Sequence, residues 1–199
     1  MAKLSKFLFA YILITFLGCS AMAEQPIFYT TKTASLNGPT DGNLIQLLER
    51  FDTIVIKFGG GGLVYGMMDT LRYLKDRPEK TIVIDGGCYS ACTLLLESPN
   101  VLLTTNARMH FHSATAYKCE GGKTVGIPGV KANFDMLKSF RMVTQHWIMR
   151  SQAYGSTAFT EMPVKMVRKI YKTKYVDFVW VRGTITEIKL IPGPAKSVC

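Results

Sequence analysis

Two short runs constrain this chain more than anything else in it: "TIVIKF" at 53–58 and "KTIVID" at 80–85. Each is dense in β-branched residues with little polar alternation, the pattern of a strand buried on both faces of a sheet. Each ends on glycine, "GGGG" at 59–62 after the first and Gly86-Gly87 after the second. Glycine there stops the strand and lets the backbone turn or approach another group closely. Behind each glycine turn comes a helical pattern. Leu63, Met67, Leu71 and Leu74 form one stripe of "LVYGMMDTLRYLKD", 63–76, and Ser90 to Glu97 reads as helix. Strand, glycine turn and helix, repeated, predict an α/β domain built on a mainly parallel sheet. Sites in such sheets form beyond the carboxyl ends of the strands, so both glycine turns are expected at one edge.

The remaining segments fit around this unit. Residues 27–36 read as strand, "NGPTDGN" at 37–43 as a turn, and 44–51 as helix. "NVLLTT" and "ARMHFH" read as strands and the Gly-rich segment 120–130 as a loop. A single long helix is expected over 130–154, with Phe134, Leu137, Phe140, Val143 and Trp147 inward, then a second over 162–172 and strand pieces over 176–191. The 199 residues, 48% of them hydrophobic, suffice for one core, and no internal repeat is present.

The start, "MAKLSKFLFAYILITFLGCSAMA", has Lys3 and Lys6, an apolar core from Phe7 to Gly18 and a small-residue end, Ala21-Met22-Ala23. That is the layout of a secretory signal peptide, 1–23, cleaved after Ala23. The apolar core is shorter than the ~20 residues a membrane span needs. The expectation is a single domain, 24–199, secreted or periplasmic, with lipid anchoring at Cys19 or an uncleaved anchor as alternatives. Cleavage removes two lysines and no acid, lowering the formal charge from +10 to +8. A basic exported protein meets anionic envelope surfaces, although a soluble protein of high pI is the preferred account of the charge. The helix "MPVKMVRKIYK" reads likewise as a solvated basic face or as a docking surface for anionic lipid or another subunit. No nucleic-acid motif is present. Cys88, Cys92, Cys119 and Cys199 would remain, an even count that suits disulfides in an oxidising compartment. Cys92 is expected as a small core side chain, and a Cys88–Cys119 bridge is expected to tie the two site segments together.

The chemistry concentrates in "IDGGCYSACTLLL", 84–96. Ser90 stands where a buried strand ends and a helix begins, so its hydroxyl is either a helix cap or a nucleophile. Unpaired N–H groups at the helix start, Ala91 among them, and a second amide from Gly59 to Gly62 would make an oxyanion hole. His110 and His112 in "RMHFH" share one strand face and offer a base, whereas His146 sits mid-helix among core positions and reads as structural. A metal held by His110, His112 and Cys119 is a minor alternative, and no cofactor is expected.

"IVIKFGGGGLVYGMMDTLRYLKD", "GGCYSACTLLL" and "TTNARMHFH", in this order and spacing, resemble the Clp-protease/crotonase-like superfamily, the "CxSAC" form resembling predicted periplasmic Clp-like serine protease-type proteins. The similarity covers residues 30–115 and weakens to 191. It implies a repeated β-β-α spiral, Ser90 as nucleophile, His112 as base, and the amides of Ala91 and of Gly60 or Gly61 as oxyanion donors. It also implies a late acid, for which Asp177 is the candidate ahead of Glu161 and Asp135. A serine–lysine variant of the scheme would use Lys174. "KFGG" stands where the superfamily has "SPGG". The function implied is an exported serine hydrolase, a peptidase acting on peptide or protein substrates, in rings or trimers. The alternative is a catalytically inactive Clp-like binding or assembly protein of the cell envelope.

Overall fold

A computed structural model describes residues 27–29, 32–40, 43–176, 179–181 and 185–190. The leader 1–23, Asp177 and Cys199 lie outside them. The elements in chain order are β1 (Ile27–Tyr29), β2 (Thr33–Gly38), α1 (Asn43–Arg50), β3 (Thr53–Gly59), α2 (Val64–Lys75) and β4 (Thr81–Tyr89). A 3₁₀ helix (Ser90–Glu97) leads to β5 (Val101–Leu103), β6 (Arg108–Phe111), β7 (Thr115–Glu120) and β8 (Lys123–Pro128). Then come α3 (Val130–Ser139), α4 (Met142–Arg150), β9 (Thr160–Met162), α5 (Val164–Ile170), β10 (Val179–Val181) and β11 (Ile185–Lys189).

The main sheet runs β11-β2-β3-β4-β6-β9, with β5 also on β4. It is parallel except for β9, which runs antiparallel to β6. The chain is therefore α/β on a mainly parallel sheet, as the repeated strand–glycine–helix unit predicts. Ile54 and Ile56 of β3 and Ile82 and Ile84 of β4 are fully buried, with Leu94 and Leu95 of the 3₁₀ helix packed into the same core. Each such side chain contributes about 1.5–3 kcal/mol on leaving water.

β4 is the strand that positions the site, and it changes partner halfway. Its first half pairs with β5 (Ile82 beside Val101) and its second with β6 (Gly87 beside Arg108). The change falls at a bulge, where Asp85 and Gly86 together face the single residue Lys57 of β3. A Cβ on Gly86 would overlap the Lys57 carbonyl, so glycine is required there. The Asp85 carboxylate fastens the bend, accepting bonds from Lys57, Thr104 and Asn106.

Four expectations from the sequence need correction. The Gly-rich segment is a hairpin, β7–β8, turned by Gly121 (φ 57°) and Gly122 (φ 74°), the two-residue turn that matches strand twist. The long helix is two, α3 and α4, because Phe140 leaves helical geometry to bury its ring against Phe111, 5.6 Å away. The second helix is shorter than expected, since Met162 pairs with Met109 as β9 and α5 starts only at Val164. In α2 the buried stripe is Val64, Met67, Thr70 and Leu74. Leu63 precedes the helix in extended geometry and faces outward.

Candidate active site

Pairing sets Gly38 beside Gly59 and Gly59 beside Cys88, so the carboxyl ends of β2, β3 and β4 reach one level. Ser90 is the first residue beyond β4. Its φ is 57°, in the left-handed region, which costs a non-glycine residue about 1–2 kcal/mol. In a straight strand Ser90 would point the same way as Cys88, which is fully buried. The left-handed residue breaks that alternation, and Ser90 lines a cavity of about 610 Å³ together with His112. It is not a side-chain cap: Tyr89 holds the cap position without a side-chain bond, and the Ser90 carbonyl accepts from Thr93 Oγ1 at 2.7 Å.

His112 follows the last residue of β6 and packs its ring 4.5 Å from that of Phe159. His110 pairs across the sheet with Tyr89 and stacks on its ring at 4.1 Å, with Glu161 of β9 on its other side. The two histidines thus differ in what they face, and of the two only His112 lines the cavity. The chain after His112 is pinned. Ser113 N–H donates to the Ser156 carbonyl at 2.8 Å, and Ala114 is bonded at both its N–H and its carbonyl by the Asn133 side chain, at 2.5 and 3.2 Å. Asn133 is buried on α3, a role the sequence reading missed; the available signal was a polar residue at an inward helix position.

His112 Nδ1 is buried and makes no hydrogen bond of ordinary geometry among the described residues. Burial pushes the ring below the ordinary imidazole pKa of 6.5, and the Thr157 main chain opposes this in part. His110 is lowered as well, by burial first, with Glu161 opposing and Arg108 adding.

In the glycine loop, Gly60 N–H donates to the Gly38 carbonyl at 2.9 Å and is spent, so Gly60 drops out as an oxyanion donor. Gly61 N–H has no main-chain acceptor among the described residues, while its carbonyl is held by Thr40 through N–H at 2.7 Å and Oγ1 at 3.3 Å. The Gly61 backbone lies directly on the serine: a Cβ there would stand 2.7 Å from Ser90 Cβ and 3.3 Å from Ala91 N. Ala91 is in the first turn of the 3₁₀ helix, where N–H groups lack intrahelical partners.

Lys174 is not available as a base. It is buried and donates to the Ser98 carbonyl, at the far end of the 3₁₀ helix. At ~2 Å per residue that end is about 16 Å from Ser90. Burial, with Arg141 nearby, lowers its ammonium to about 8. Lys174→Ala should therefore cost about 1–3 kcal/mol in a urea titration, by stranding a buried carbonyl, and leave the reactivity of Ser90 unchanged.

Asp135 is bonded to Tyr65 at 3.0 Å and to Lys131 at 2.6 Å, and Glu161 lies 4.0 Å from Arg108. Neither is among the groups acting on His112. His146 is exposed beside a cleft between α4 and α5, not in the core. Cys88 is bridged to Cys92, not to Cys119, because the strand-to-helix turn brings their Cα atoms to 5.4 Å. Cys119 is disulfide-bonded elsewhere and cannot serve as a thiolate ligand. Among the described residues no group of three or more His, Cys, Asp or Glu could hold a metal.

No protein-family model matches the chain, and no curated protein matches it. Among solved structures, two of 1510-N, a membrane-bound stomatin-specific protease, are similar in fold. A serine-to-alanine mutant is 10% identical with a TM-score of 0.46, over 85% of this chain and 99% of that one. A lysine-to-alanine mutant in complex with a substrate peptide is 11% identical with a TM-score of 0.48, over 86% of this chain and 94% of that one.

Proposed function

We propose that the protein is an exported serine hydrolase of the Clp-protease-like type, cleaving peptide bonds with Ser90 as nucleophile and His112 as base. The observation that carries this reading is Ser90 itself. A non-glycine residue is held in left-handed geometry at the end of the central strand, makes no capping bond, and lines one cavity with a histidine. Backbone strain of this kind persists where surrounding structure enforces it, and it concentrates at reactive groups.

In the proposed reaction Ser90 Oγ attacks the substrate carbonyl carbon while its proton passes to His112 Nε2. The carbonyl oxygen takes the negative charge and is met by the Gly61 and Ala91 N–H groups. Collapse expels the amine, which takes the proton from His112 and leaves an acyl-serine. Water, deprotonated by His112, then releases the acid and restores the serine. Burial favours the neutral His112 ring, the form that can accept the serine proton, and the Thr157 main chain opposes this only in part. Leu63, Tyr65, Tyr117 and Phe159 on the cavity wall support a substrate with an apolar side chain next to the scissile bond.

One observation favours the second reading, a binding protein without catalysis: no carboxylate acts on His112 among the described residues. A fluorophosphonate probe separates the two. We expect a single adduct, mapped by peptide mass spectrometry to the 88–92 segment and to Ser90. An unmodified Ser90, where a control hydrolase reacts fully, would leave the binding reading.

A further inference from the structure

Cys88 and Cys92 form a disulfide, and Ser90 is the middle residue of the five that it encloses. Both cysteines are fully buried. Cys88 is fixed by the sheet, between Gly59 of β3 and Met109 of β6. Cys92 lies in the 3₁₀ helix against the same glycine: a Cβ on Gly59 would stand 2.7 Å from Cys92 Sγ. The bridge thus ties the end of the central strand to the first turn of the helix, and Ser90 is the corner between them.

A bridge over so short a segment stabilises the fold less than one that closes a long loop, because the chain entropy removed from the unfolded state grows with the loop closed. Its effect is local. At Ser90 a non-glycine residue prefers right-handed over left-handed geometry by a factor of about 5–30, and glycine, which would remove the cost, has no hydroxyl. At the corner the Thr93 hydroxyl bonds the Ser90 carbonyl, the Gly61 backbone presses on Ser90 Cβ, and the Tyr89 ring is held by Phe58, His110 and Phe159. None of these links the strand end covalently to the helix. The bridge does.

We propose that the Cys88–Cys92 disulfide is a positioning element for Ser90, holding it in the left-handed geometry that turns its hydroxyl into the cavity shared with His112. The proposal rests on Ser90 being the nucleophile. It makes reactivity conditional on oxidation: the same chain with both thiols free keeps its core but spends most of its time with Ser90 turned away.

The test uses the full chain, an activated ester and the fluorophosphonate. In Cys88→Ala/Cys92→Ala we expect the labelling rate and kcat to fall about tenfold, within the range set by the conformational preference. KM should stay within about twofold, as for a group that acts only through the nucleophile. A role confined to stability would lower Tm and leave the labelling rate of the folded protein unchanged. Wild type treated with a water-soluble phosphine, which yields two thiols and the phosphine oxide with oxygen from water, should slow by the same factor and recover on reoxidation. The double-alanine variant should be indifferent to the phosphine. Labelling of that variant at the wild-type rate would overturn the proposal. So would equal slowing of variant and wild type by phosphine, which assigns the effect to the Cys119 bridge. Should the variant fail to fold, the same reversible reduction is run on Cys119→Ala, which keeps the Cys88–Cys92 bridge: slowing there supports the proposal, and an unchanged rate overturns it. Failure of the nucleophile reading looks different, since untreated wild type would then carry no adduct at Ser90.

Discussion

Ser90→Ala should abolish fluorophosphonate labelling and ester hydrolysis, and His112→Ala should lower hydrolysis by about a hundredfold or more, the usual loss for a general base. His110→Ala should cost only a few-fold, because its ring stacks on Tyr89 instead of lining the cavity. The pH profile supplies the independent check. A base must be neutral to accept the serine proton, so the rate rises with pH through the His112 pKa. Burial holds that pKa below 6.5, so the half-maximal rate should fall below 6.5 and the profile should be flat from there towards neutrality. The limb should disappear in His112→Ala and persist in His110→Ala. Wild-type rates in both histidine variants would refute the assignment of the base.

The placement of the serine was legible in the sequence because it follows from strong local signals. The β-branched runs around Ile54 and Ile82 could only be buried strands, and the glycines behind them could only end those strands at one edge. What sequence alone left open was decided by contacts that carry no local signal. Gly60 and Gly61 are indistinguishable in "GGGG", yet Gly60 N–H is consumed by Gly38, a residue on another strand. Cys88 had several partners open to it, and the tight corner at Ser90, which no propensity anticipates, selects Cys92. The break at Phe140 arises from a ring contact with Phe111 across the core. The hairpin does carry a local signal, since "EGGK" between alternating segments is a two-residue turn pattern, although a Gly-rich run also fits a loop. Thr157 was invisible for another reason, since it acts on His112 through its main chain.

Gly61→Ala should disrupt the site strongly, while Gly60→Ala, one residue away, should be tolerated. At position 61 φ is 78°, and the added Cβ would sit 2.7 Å from both Ser90 Cβ and the Tyr89 carbonyl oxygen. Both obstacles belong to the chain around the serine, and neither is a flexible side-chain end that can swing away. The left-handed φ costs about 1–2 kcal/mol and the overlap about 1–3 kcal/mol more, so a urea titration should show a loss of about 2–5 kcal/mol. What relieves the overlap is movement of Ser90 and Ala91 away from the loop, which shifts the nucleophile and opens the proposed oxyanion hole. Loss of one such donor costs about a hundred- to a thousandfold in kcat, and residual hydrolysis should fall by at least that. At position 60 φ is not left-handed, and the nearest atom to an added Cβ is Phe58 Cε1 at 3.4 Å, part of an exposed ring that can give way. Its N–H bond to Gly38 survives the change, so stability should drop by less than about 1 kcal/mol, in the range of an ordinary surface substitution, with activity within a few-fold of wild type. If the two variants behaved alike, the loop would not be pressed on Ser90 through Gly61, and Gly61 would lose its place as the second donor.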